Sequence, residues 1–289
     1  MKLLLIVSIL TGTVVLLLVV LRFILHKIFY FPPVKSSTPL HVLEIPHQLY
    51  RIPTHNNKSI QAILYGPQNS LPLVIGLHGY ENTAEKLIPI CQFLTTRGFR
   101  VLLVNTRNHG ESDPDGSSTM VQFIQDLNTA ILFARTNLAG NSKVILLGHS
   151  LGAATCLYVA AHDPGISAVV SIASFAALEQ QLRQALCYHH FPAGLIKPVL
   201  RYLEISHHIK MRDLSPQNNI TRIRVPILLL HGSRDPVVAA ADFELLRSVA
   251  PEKLFTARMM EGENHSSLLD KPETFQLIFN FLEKNGLLK

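Results

Sequence analysis

The sequence predicts an α/β fold built on a mostly parallel sheet, and three observations lead there. Short apolar or β-favouring runs recur at 71–77, 99–104, 144–147, 168–172, 225–230 and 253–259, each bounded by turn residues. Runs of this length without polar alternation suit strands buried on both faces, as in a parallel sheet. Segments of helical periodicity fall between most of them, at 83–97, 118–137, 151–162 and 237–249, with a last one at 272–284. Alternating strands and helices imply right-handed crossovers that leave helices on both faces of the sheet. Ahead of these, 41–52 and 59–65 read as a hairpin around the turn at 54–58, because "IQAILYG" alternates as a half-exposed strand does. That makes eight strands in a mixed sheet. The Pro-dotted, His-rich stretch 177–224 lies between two predicted strands and reads as an irregular insert.

The N-terminus is different in kind. Residues 3–21 carry no charge. Nineteen helical residues at ~1.5 Å each reach about 28 Å, close to the hydrocarbon core of a bilayer. Lys2 precedes the run, Arg22, His26 and Lys27 follow it, and Phe29-Tyr30-Phe31 resembles an interfacial aromatic belt. Pro32-Pro33 stops the helix. The run is longer than the apolar part of a usual signal peptide. No small-residue cleavage site follows it, since the first alanine is Ala62. The expected organisation is therefore a transmembrane anchor at 1–31, a linker at 32–40 and an α/β domain at 41–289. Basic residues on the two sides of the run nearly balance, so charge does not orient the anchor.

The chain has 289 residues, 48% of them hydrophobic, and a formal net charge of +6. Three basic residues and no acidic one fall in 1–27, and 177–224 holds seven basic against three acidic. No nucleic-acid-binding module accompanies this charge, so a nucleic-acid partner is not expected. A basic insert at 177–224 suits an anionic headgroup surface, or simply a solvated face. The three cysteines, Cys91, Cys156 and Cys187, form no C-x-x-C pair, and their odd number argues against a disulfide framework. Buried thiols are expected, as in a reducing compartment.

The chemistry centres on "VILLGHSLGAAT", residues 144–155. A buried strand runs into Gly148-His149-Ser150-Leu151-Gly152 and then into a small-residue helix. This puts Ser150 on a sharp strand-to-helix turn, with the positive end of the helix dipole beside it. A serine hydroxyl needs a histidine to take its proton and a carboxylate to orient that histidine. In an open parallel sheet such groups gather at the carboxyl ends of strands. Asp235 in "HGSRDPVV" follows the strand at 225–230, and His265 in "EGENHSS" follows the strand at 253–259. The chain order is Ser150, Asp235, His265. His78, His109 and His149 read as structural loop histidines, because none follows a late strand. Asp113 and Asp115 flank Pro114 as turn residues, and Asp242 falls within a helix with its side chain toward solvent. The doublets His189-His190 and His207-His208 lack the spacing of zinc ligands.

The order, the elbow and the two loops resemble the α/β-hydrolase superfamily over about residues 45–289. The likeness is greatest to its monoacylglycerol-lipase-like and acylpeptide-hydrolase-like serine hydrolases. "LHGY" (77–80) resembles the family's turn after its third strand, and "NTRNHGES" (105–112) its Arg-x-His-Gly-x-Ser loop. The resemblance implies an oxyanion hole from the backbone N–H groups of Tyr80 and Leu151. It also implies acyl transfer through Ser150 with His265 as base, no metal or cofactor, and a cap over the site. Carboxylic esters or thioesters, lipid-like or small, are the expected substrates. An aminopeptidase or acylpeptide hydrolase is the alternative, and a non-catalytic scaffold a more distant one.

Overall fold

The computed structural model describes residues 2–29, 33–36, 46–66, 72–116, 118–139 and 143–288. Eight strands form one sheet: β1 (His47–Pro53), β2 (Ser59–Tyr65), β3 (Leu73–Leu77), β4 (Arg100–Asn105), β5 (Val144–His149), β6 (Ala168–Ile172), β7 (Ile227–Gly232) and β8 (Phe255–Met260). Their order is β1-β2-β4-β3-β5-β6-β7-β8. β1 and β2 pair antiparallel, as do β2 and β4, and every later pairing is parallel. The first residues of the predicted opening strand, 41–45, lie outside the described residues.

The apolar runs alternate between two core layers, as the two-residue period of a strand requires. In β5, Val144 and Leu146 face one layer while Ile145 and Leu147 face the other. In β7, Ile227 and Leu229 join the first layer, and Leu228 and Leu230 the second. Both layers are roofed by helices, so no polar residue is needed on either face. This is why these strands read as continuous apolar runs.

The helices are α1 (Lys2–Phe29), α2 (Ile88–Thr95), α3 (Met120–Ala134), α4 (Leu151–Ala160), α5 (Leu178–Tyr188), α6 (Ala193–Ser206), α7 (Met211–Leu214), α8 (Pro216–Asn219), α9 (Ala240–Val249) and α10 (Pro272–Lys284). The helix expected over 83–97 is split. A tight 3-10 turn, Ala84–Leu87, precedes α2, which starts with Pro89 in its first turn. The Ala84 N–H is claimed by Asn105 Oδ1 at 2.7 Å, which bends the entry away from a continuous helix. α5 to α8 form the insert between β6 and β7. There the histidine doublets end helices: His190 and His208 adopt φ of 55° and 53°. The next amides close onto Leu186 O and Glu204 O, the bonds of a left-handed helix C-cap.

Candidate active site

The elbow is built by close approach. Ser150 sits at φ 55°, ψ −119°, a strained conformation for a residue with a β-carbon. Its N–H is held by Ile172 O at 2.9 Å, at the end of β6. A β-carbon at Gly148 would lie 2.4 Å from Gly152 O, and one at Gly152 would lie 2.4 Å from the carbonyls of Leu77 and His78. Only glycine admits the crossing of β5, α4 and the turn after β3 at this spacing. Leu151 opens α4, so its amide has no intrahelical acceptor.

Asp235 follows β7 and His265 follows β8. His265 Nδ1–H donates to Asp235 Oδ2 at 2.7 Å. The carboxylate is fully buried and the imidazole 12% exposed. Asp235 Oδ1 accepts the amides of Val237 (2.8 Å) and Val238 (2.9 Å). Burial pushes this carboxyl's pKa up, but the bonds from His265 and those two amides outweigh it and hold the group below the ordinary carboxylate range. With Nδ1 protonated, His265 presents Nε2 as a base. His149, next to Ser150, donates from Nε2 to His265 O at 2.8 Å and so ties the elbow to the loop after β8. Burial, and then the nearby His265, lower the His149 pKa to about 4, so this ring is neutral.

The turn after β3 closes the other side. A β-carbon on Gly79 would come within 3.1 Å of Ser150 Cβ, so Tyr80 follows directly beside the serine. His109 Nε2–H donates to the Tyr80 carbonyl, while Thr106 Oγ1 lies 3.0 Å from His109 Nδ1. His78 Nε2 accepts the Thr106 amide at 3.2 Å, which assigns its proton to Nδ1, bonded to Gly79 O at 2.7 Å. Burial lowers the pKa of both rings. The loop histidines thus brace the turn, His109 through Tyr80 O on one side of its ring and Arg107 O, 2.9 Å from Nδ1, on the other.

Arg107 anchors this loop, a role the sequence reading missed. Its side chain is fully buried and bonds Asp126 (3.0 Å), Asp115 (2.6 Å) and Gln125 (2.6 Å). The available signal was Asp126, an acid on the apolar stripe of α3 between Phe123 and Leu127. A second missed residue is His231, buried with Nε2 3.8 Å from Asp235 Oδ2 and bonded to Val238 O. Of the alternative acids, Asp113 pairs with Arg51 and the Ser59 amide. Asp242 is a correction: its carboxylate does not simply face solvent but accepts the Ala176 amide at 2.7 Å, fixing the chain between β6 and α5. Cys91 and Cys156 are buried and Cys187 is exposed, all three as free thiols. Among the described residues no group of histidine, cysteine and carboxylate side chains is arranged to hold a metal ion.

The family model described as serine aminopeptidase, S33 (Hydrolase_4) matches residues 68–219. The chain belongs to this family. It is therefore a hydrolase of the α/β-hydrolase fold. Within that setting it is 24% identical over 233 residues to the uncharacterized protein YqkD of Bacillus subtilis, covering 78% of this chain and 75% of the relative. It is 25% identical over 185 residues to the putative esterase YitV of the same organism, covering 60% and 71%. Among solved structures it is similar to the Pyrococcus furiosus esterase Pf2001, with a TM-score of 0.68, 21% identity, and coverage of 88% of this chain and 99% of the other. It also resembles the α/β hydrolase GrgF from Penicillium, at a TM-score of 0.66 and 16% identity, covering 83% and 99%. These structural likenesses concern the fold.

Proposed function

We propose that this chain is a membrane-anchored serine hydrolase that cleaves carboxylic esters or thioesters through Ser150, His265 and Asp235. The observation that carries the reading is the buried Asp235–His265 pair at 2.7 Å, tied through His149 to the strained elbow that bears Ser150. In the reaction, His265 Nε2 takes the Ser150 proton as Oγ attacks the acyl carbon. The carbonyl π electrons move to oxygen, and the oxyanion meets the amides of Leu151 and Tyr80. Collapse expels the alcohol or thiol, which receives the proton from His265. Water then enters by the same route in reverse and releases the acid. Each oxyanion donor contributes ~3–4 kcal/mol to the transition state. Asp235 keeps Nδ1 protonated and stabilises the imidazolium.

An S33 aminopeptidase would use the same three groups, and the family description favours it as the second reading. Such an enzyme needs a carboxylate for the substrate's free ammonium group. In the cap, Glu179 is paired with Arg183 and Glu204 with Arg201, which leaves Asp213 on α7 as the cap carboxylate that the peptidase reading would use.

The anchor part of the proposal rests on α1. Leu4–Phe23 is a 20-residue stretch of mean hydropathy 3.0. At ~1.5 Å per residue it reaches about 30 Å, enough to span a bilayer. The cap is assigned to 177–224 and the hydrolase domain to 41–289.

Labelling of the detergent-solubilised protein with a fluorophosphonate probe tests the chemistry. Wild type is expected to label, and Ser150→Ala and His265→Ala are not. An unlabelled, well-folded wild type would overturn the serine-nucleophile reading and bring a binding scaffold forward. A screen of acyl esters beside aminoacyl amides separates esterase from peptidase.

A further inference from the structure

The described side chains of α1 are exposed, with one exception. Leu21 is half-buried and packs against an apolar cluster made by Met120, Phe175, Leu186, Ile196, Leu200 and Val238. That cluster lies beneath the cap. Leu151, which follows Ser150, packs against it too, and Val238 bonds the candidate triad acid. The last turn of the apolar span is thus fastened to the layer that separates cap from catalytic centre. Leu21 sits two residues inside the span's end at Phe23, about 3 Å along the helix axis. Wherever α1 ends at a bilayer surface, the cap is there with it.

The chain beyond α1 leaves little slack. Eleven positions after Phe23, Val34 is bonded through its N–H to Asn108 O (2.9 Å) and through its O to the Gly110 amide (2.7 Å). The domain is held against its anchor at two points and cannot swing away on a long tether.

The cap surface carries matching chemistry. α6 buries Ile196, Val199 and Leu200 and turns Leu195, Pro198 and Ile205 outward, with Leu195 52% and Ile205 59% exposed. Lys197 flanks these residues on the same outer arc, as does Arg201, whose guanidinium also pairs with Glu204 at 3.1 Å. Tyr188, 81% exposed, extends the apolar edge from the end of α5. Large apolar side chains bordered by cations form the pattern of an element lying in the interface of an anionic membrane.

We infer that the outer face of α6 rests on the same bilayer that α1 crosses, so that the site draws a long-chain acyl ester directly from the membrane through the apolar layer around Leu21. This inference deepens the serine hydrolase reading and rests on it. The ester's acyl chain follows the apolar cluster while its carbonyl reaches Ser150, and the polar leaving group stays toward water.

The test has two arms, because docking and catalysis can fail separately. The first reads position alone. Cys187 is the exposed native thiol and lies on the cap. The full chain, labelled there with an environment-sensitive fluorophore, is reconstituted into phosphatidylcholine vesicles with about one-fifth phosphatidylglycerol. Lipids spin-labelled high on the acyl chain are expected to quench it. The same label on Thr96→Cys in a Cys187→Ser background is expected to stay unquenched, since Thr96 lies before the amino end of β4, whereas the cap follows the carboxyl end of β6, which runs parallel to β4. Equal quenching at both positions, or none at either, overturns the inference and leaves the triad reading untouched. The second arm compares hydrolysis of a long-chain monoacylglycerol held in the vesicles with that of a water-soluble butyrate ester. The double variant Leu195→Glu, Ile205→Glu is expected to lose at least about tenfold on the vesicle substrate and to stay within about twofold on the soluble one. Equal loss on both, or no loss on either, refutes the membrane route. Wild type inactive on both esters would sink the esterase reading and this inference with it, whatever the first arm shows.

Discussion

Replacing Asp235 by asparagine tests the candidate triad at its most constrained atom. Asp235 Oδ1 takes two backbone amides, from Val237 and Val238, while Oδ2 takes His265 Nδ1–H at 2.7 Å. In Asp235→Asn the two amide donors dictate which way the carboxamide turns. Its oxygen must face them, because an NH2 group there would oppose two N–H donors. The NH2 is then left facing His265 Nδ1. Two donors cannot share that contact, so the imidazole proton moves to Nε2, the atom that must accept from Ser150. The fold keeps all three contacts, the third with its direction reversed as the Asn NH2 donates to Nδ1, and the base is lost. kcat should fall by about ten-thousand-fold, which is about 5.5 kcal/mol of transition-state stabilisation, with KM little changed. The assay is steady-state hydrolysis of a short soluble ester, run beside the rate of fluorophosphonate labelling and a thermal melt. Activity within tenfold of wild type, with an unaltered melt, would refute Asp235 as the group that orients His265.

Four further outcomes follow from the same geometry. His109→Phe keeps an aromatic ring against Phe123 but removes the donor to the Tyr80 carbonyl; kcat should drop by roughly ten- to a hundredfold at constant KM, a fraction of one oxyanion donor. Asp126→Ala takes away the fully buried carboxylate that holds Arg107 Nε, the Arg107 amide and the Thr54 hydroxyl, leaving the guanidinium Asp115 and Gln125, and should cost about 3 kcal/mol in urea unfolding. Gly152→Ala drives a methyl group into two backbone carbonyls and should destabilise the fold by about 3 kcal/mol in the same measurement. His149 is held at about 4 in the fold against about 6.5 unfolded, so the unfolded chain takes up a proton first as pH falls. Its contribution is whole above about pH 6.5 and is lost toward pH 4, costing about 2 kcal/mol by pH 5. Buried His78, His109 and His231 act in the same direction, so the melting temperature should fall by at least roughly 5 °C between pH 8 and pH 5. A melting temperature that stays level over that range would contradict the lowered pKa of these rings.

Much of the architecture was legible in one dimension, and particular residues show why. Val144 to Leu147 is apolar at every position because both faces of β5 are covered, and that condition leaves an unbroken mark on the sequence. Gly148 and Gly152 mark the elbow because the backbone crossing there excludes any side chain. Asp235 and His265 could be picked out because a parallel sheet gathers the ends of its later strands, so position after a strand stands in for position in space. These signals are local, or follow from connectivity rules that hold for every sheet of this kind.

What only the tertiary structure decided is pairing across distance. Asp126 reads as an ordinary helix acid, yet it meets Arg107 inside the protein, because α3 packs across the loop after β4. His109 reads as one loop histidine among several. Folding makes it the strut under Tyr80, since the loops after β3 and β4 lie side by side. Asp242 reads as solvated on its helix and instead holds the chain between β6 and α5. Leu21 belongs by composition wholly to the N-terminal apolar run, and the folded domain takes it for the apolar layer beneath the insert between β6 and β7. By itself the sequence determined the sheet, the elbow and the order of the candidate triad, because each has a local pattern or a fixed place in the topology. The partners of Arg107, His109 and Leu21 depend on which elements the packing brings together, and no periodicity along the chain encodes that.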